Sequence, residues 1–90
     1  RYMHDKIVKC VLAAHNKILQ EWKYDKVSSL DMEIRPRNGI TSETIVTLLL
    51  EIEDELEIEL DEYLPEIRKC KTIGLLVDIV EKAYESSGRC

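Results

Sequence analysis

Few residues in this chain are placed to do chemistry, and Ser42 is the one that stands apart. It follows Asn38-Gly39-Ile40-Thr41 and leads into Ile45-Val46-Thr47-Leu48-Leu49-Leu50-Glu51-Ile52, so its hydroxyl lies where a turn becomes an apolar helix. A helix start carries unpaired backbone N–H groups and the positive end of the dipole, which favour an acceptor or an anion. The ordinary use of a serine there is as an N-cap, and Thr41 suits that role equally. His4, His15 and Cys10 lack metal-ligand spacing, so both histidines are expected on a helix surface. Asp54 to Pro65 is acidic but has neither the central glycine nor the alternating ligands of a calcium loop. No phosphate-cradling glycine loop and no nucleophile–base pair is legible, so the chain is not expected to be an enzyme.

The elements that position Ser42 follow from hydrophobic period. Ile7, Val11, Ala14, Ile18 and Trp22 recur at spacings of three and four, with Val8 and Leu12 widening the stripe. They predict a buried helix face running from about His4 or Asp5 to Trp22. From Lys23 to Ile40 the period fades, yet Tyr24, Val27, Leu30, Met32 and Ile34 punctuate the segment. It reads as a long loop that packs, and a loop of this length in a small domain usually serves a function. Pro36 turns Arg35 away from helix, and Asn38-Gly39 marks a turn. The second helix begins at Thr41 or Ser42, with Ile45, Leu48, Leu49, Ile52 and Leu56 inward and Glu51, Asp54 and Glu55 outward. Val46 and Leu50 leave a second apolar edge. Glu57-Ile58-Glu59-Leu60 alternates like an extended link with two anchors. Pro65 limits Asp61 to Lys69 to a short helical turn, and Thr72 caps a last helix buried through Ile73, Leu76, Val77, Val80 and Tyr84. The expected fold is all-α: one domain over residues 1–90, a small antiparallel four-helix bundle with a long first loop and a short third helix.

Composition narrows the partners. The 90 residues are 44% hydrophobic and 34% charged, with five aromatics and no Phe, which requires an aliphatic core. Residues 1–38 carry eight basic and five acidic side chains, whereas residues 39–90 carry five basic and thirteen acidic ones. That acidic second half argues against nucleic acid and for partners with basic docking patches. Cys10, Cys70 and Cys90 make no disulfide framework; Cys10 reads as a small core residue and Cys90 as exposed. No signal peptide and no apolar run of membrane-spanning length is visible, so a cytoplasmic monomer with no membrane contact is expected.

The stretch Gly39 to Leu60 resembles the acyl and peptidyl carrier proteins. It shares with them a Gly-x-x-Ser, an apolar helix, a cluster of acids and an alternating acidic-aliphatic link, and Lys71-Thr72-Ile73 is similar to the start of their last helix. The resemblance covers nearly the whole chain and implies an acyl-carrier-protein-like bundle. It implies that Ser42 carries a covalent 4'-phosphopantetheine arm, added by a phosphopantetheinyl transferase, whose thiol holds cargo as a thioester. Glu43, Val46, Glu51, Asp54 and Glu55 would then form the surface read by acyl- or aminoacyl-loading and processing enzymes. The family's Asp before the serine is Thr41 here, its Leu after the serine is Glu43, and its next acidic position is Thr44. Arg35 and Arg37 add positive charge before the serine, either to meet a phosphate or simply as solvated loop residues. These departures motivate an alternative: a carrier-like bundle that is not modified and acts as an interaction module through its acidic second helix.

Overall fold

The computed structural model describes residues 1–88; Cys90 lies outside them. Among the described residues four α-helices occur in the order α1 (Tyr2–Glu21), α2 (Thr44–Leu56), α3 (Leu64–Ile67) and α4 (Ile73–Ser86), with 3-10 turns at Pro36–Asn38 and Asp61–Tyr63. The all-α bundle with a long first loop and a short third helix is the architecture expected from the periodicity. A single antiparallel bridge, Glu33 to Thr72, is the one trace of extended pairing among the described residues.

The core is aliphatic. Ile7, Val11 and Ile18 of α1, Leu48 and Ile52 of α2, and Ile73, Leu76 and Val80 of α4 are at most 2% exposed. α1 packs against both α2 and α4. The direction of α2 is set by its neighbours: Trp22 shares a groove with Glu43, Lys17 bonds Glu51 at 2.8 Å, and Cys10 shares a groove with Leu56. α2 therefore runs back along α1, and its N-terminus stands beside the C-terminal end of α1. Ile58 and Leu60 are both buried, as the alternating link requires, and Glu53 holds that link by accepting from the Leu60 N–H at 2.7 Å. Thr72 caps α4 by accepting from Leu75 N–H at 3.2 Å.

Two sequence expectations are corrected. Trp22 does not continue the buried stripe of α1. The helix ends at Glu21, Trp22 leaves helical geometry with ψ 9, and its side chain is 61% exposed. Lys23, in the left-handed region with φ 61, then turns the chain away. His15 is not a surface histidine but is wholly buried. Its Nδ1 lies 2.7 Å from Ser28 Oγ and its Nε2 lies 2.8 Å from the Asn38 carbonyl oxygen. A neutral ring satisfies both partners if Nε2–H donates to the carbonyl and Nδ1 accepts from the serine.

That histidine pins the long loop to α1. The loop is held again where Ser28 N–H donates to Asn16 at 2.8 Å, where Asn38 Nδ2 donates to the Glu33 carbonyl at 2.8 Å, and where Tyr24 N–H donates to the Leu19 carbonyl at 2.8 Å. Its far side is stitched to the start of α4 by Ile34 N–H to Lys71 O, Ile73 N–H to Met32 O and Gly74 N–H to Leu30 O, each at 2.9 Å. The loop packs as expected through Met32 and Ile34, whereas Val27 is 76% exposed.

Burial lowers the His15 pKa from its ordinary 6.5, and the hydrogen bond to the Asn38 carbonyl opposes part of that effect. The unfolded chain therefore takes up this proton at a higher pH than the folded chain does, so acid favours unfolding. His15's share of stability is complete above about pH 6.5 and is lost as pH falls below it toward the folded pKa. Melting curves at about pH 7.5 and about pH 5.5 should show a larger acid loss in the wild type than in His15→Gln. Equal losses would show that His15 is not the source of the acid sensitivity.

Candidate functional site

The approach to Ser42 is built by Gly39. Its φ of +82 places it in the left-handed region, and a Cβ there would meet Leu19 Cδ2 at 3.1 Å. Only glycine makes this turn without strain. Ile40 follows and is buried, so the chain enters the helix from a fixed anchor.

The cap of α2 belongs to Thr41. Regular helix begins at Thr44, but Glu43 already has helical angles (φ −87, ψ −49), and Ile45 N–H donates to the Thr41 carbonyl at 2.9 Å. Thr41 Oγ1 accepts from the Thr44 N–H at 3.1 Å and the Glu43 N–H at 3.2 Å. In return Thr44 Oγ1 accepts from the Thr41 N–H at 2.8 Å and donates to the Gly39 carbonyl at 2.6 Å. This is a reciprocal capping arrangement with threonine in the place usually held by Glu or Gln. Thr41→Ala should lower stability by about 0.5–2 kcal/mol, read from a denaturation curve. An unchanged midpoint would show that the reciprocal bonds contribute nothing.

With capping assigned to Thr41, Ser42 is left over. It is exposed and makes no hydrogen bond to any described residue. The N–H groups of Glu43 and Thr44 are engaged by Thr41, so an anion on Ser42 would meet the helix dipole rather than a ring of open donors. An esterified phosphate fits this position on two counts: the hydroxyl is accessible, and no internal bond has to break to free it. Glu43 is exposed beside it. Both loop arginines lie at Glu33, Arg37 at 2.7 Å and Arg35 at 3.9 Å.

The outer face of α2 combines apolar and acidic groups. Val46 is 54% exposed and Leu50 59% exposed, one turn apart, with Glu43 and Asp54 on the same side of the helix. Leu50 belongs with the docking candidates although the sequence pattern placed it only on a secondary edge. Its signal was its separation of four from Val46. Glu51 and Glu55 point the other way, into an open groove of about 650 Å³ that they share with Lys6, Lys9 and Lys17 of α1. Glu51 is tied there to Lys17. The predicted acidic surface is thus divided between an outer face and an α1-facing rim.

Cys10 lies in the floor of that groove, where burial, and then Glu55 and Glu51, push its thiol up to about 11. It is not a thiolate near neutral pH and is poorly suited to act as a nucleophile. Among the described residues no group of three or more His, Cys, Asp or Glu is arranged to hold a metal ion, and no helix is long and apolar enough to cross a membrane. No protein-family model matches this chain, and no curated protein or solved structure matches it.

Proposed function

We propose that the protein is a non-catalytic carrier whose Ser42 accepts a 4'-phosphopantetheine arm and presents cargo to partner enzymes as a thioester. The observation that carries this reading is the division of labour at the start of α2: Thr41 caps the helix, and the Ser42 hydroxyl is exposed and unused. A serine kept for capping would have to give up its hydrogen bond before modification. Here nothing need be given up. The arm supplies the thiol, and the chain supplies a fixed platform and a readable face. Incubation with coenzyme A and a broad-specificity phosphopantetheinyl transferase tests the reading through intact mass, a gain of one arm being the expected result.

A second reading has its own support. Val46 and Leu50 are exposed between Glu43 and Asp54, an apolar-acidic face that suits a partner with a basic-rimmed apolar surface whether or not Ser42 is modified. Thr41 and Glu43, in place of the carrier motif's Asp and Leu, favour it. A chain that binds such a partner yet gains no mass with a transferase would be an interaction module of this kind.

A further inference from the structure

We infer that Trp22 is a docking contact for the enzyme that modifies Ser42, an inference resting on the carrier reading above. Trp22 is the single tryptophan of the chain, and it is 61% exposed. Aromatic side chains are enriched in protein interfaces relative to the rest of the surface. Its backbone is nevertheless held. Trp22 N–H donates to the Ile18 carbonyl at 3.0 Å, and the turn after it is closed by Tyr24, whose hydroxyl donates to the Pro36 carbonyl at 3.1 Å. The indole therefore projects from a fixed corner rather than from a loose end.

Its position ties it to Ser42. Trp22 lines a groove with Ile18, Glu21, Glu43, Thr44 and Thr47, where the end of α1 meets the start of α2. Glu43 is the residue next to Ser42. A protein partner of ordinary size covers about 800 Å² on each side, a patch of roughly 16 Å radius. An enzyme with its active site on the Ser42 hydroxyl has to stand over the α2 N-terminus, and the groove containing Trp22 falls within that patch. Tryptophan is also the residue type most enriched among contacts that dominate binding. Glu21 and Glu43 flank the indole, so the fitting surface is an apolar pocket with a basic rim. Thr41 and Glu43 replace the residues that flank the serine in the carrier motif, and an aromatic anchor one groove away supplies the grip those positions lack.

The test uses the full chain, coenzyme A and a broad-specificity phosphopantetheinyl transferase. Trp22→Ala should lower kcat/KM for modification by about 30-fold, mainly through KM, while Trp22→Phe keeps most of it. Circular dichroism should show the same fold for all three. In parallel, the chain labelled with 5-fluorotryptophan should show a 19F resonance that shifts or broadens as transferase is added without coenzyme A. A wild type that gains no mass removes the carrier reading and this contact with it. Modification of Trp22→Ala at the wild-type rate, or a fluorine resonance indifferent to the transferase, overturns the Trp22 contact alone.

Discussion

Ser42→Ala should abolish the mass gain that the wild type shows with coenzyme A and transferase. The effect is all or none because the new phosphate ester needs the serine oxygen. Neighbouring hydroxyls are poor substitutes. Thr41 Oγ1 accepts two backbone N–H groups, and Thr44 Oγ1 is engaged on both sides, by the Thr41 N–H and the Gly39 carbonyl. Thr41→Ala is the informative companion, since it should weaken the helix start yet leave the modified oxygen in place. A gain that survives Ser42→Ala, or one that Thr41→Ala alone removes, would move the attachment point to the threonine and overturn the assignment.

The second large effect is on stability. Leu48 and Ile52 are wholly buried on the inner face of α2, and truncating either to Ala should cost about 2–5 kcal/mol. For a small domain this is a large share of the whole, since total stability is about 5–15 kcal/mol. Asp54 lies on the same helix but is exposed, and Asp54→Lys should change stability by no more than about 0.5 kcal/mol. Glu51→Lys is intermediate, because it breaks the solvent-screened pair with Lys17, which contributes little to stability. Denaturation curves for the four variants, set beside association rates with a basic-patched partner, separate platform from surface. Core truncations should unfold the chain early, and acid-to-base changes should slow association and steepen with falling salt. Equal stability losses at Leu48 and Asp54 would mean that α2 is not oriented as described.

How much of this was legible in advance depended on whether the signal was local. The helical stripes of α1 and α4 repeat within the segment that forms them, so Ile7, Val11, Ile18, Ile73, Leu76 and Val80 were placed inward correctly. Ile58 and Leu60 were legible as anchors for the same reason. Trp22 misled because its spacing continues the stripe while the helix does not; the left-handed Lys23 that ends the run is a conformation few residues advertise. His15 was missed because its partners, Ser28 and Asn38, lie 13 and 23 residues away. A signal for it did exist. Val8, Leu12, His15 and Leu19 recur at spacings of four, three and four, a second stripe that ends on the wholly buried Leu19. At the candidate site, the sequence offered Thr41 and Ser42 as rival caps, and only the hydrogen bonds of α2 assign the role to Thr41. The splitting of the acids between two faces was hidden because it depends on where α1 lies.

The stitched loop has a consequence for anything tethered at its end. Bonds from α1, through His15 and Asn16, and from α4, through Lys71, Ile73 and Gly74, hold the segment that delivers Gly39 and Ile40 to the start of α2. The pivot is thereby referenced to α1, which packs on α2, and to α4, which packs on α1, and it adds little wander of its own. A group hung from Ser42 would explore a shell whose radius is its own length. Its local concentration at a docked catalytic centre is then governed by tether length and by the distance to be spanned, with the protein end held still. Loosening the loop would blur that shell outward and dilute the tethered end, without altering a single contact at the serine.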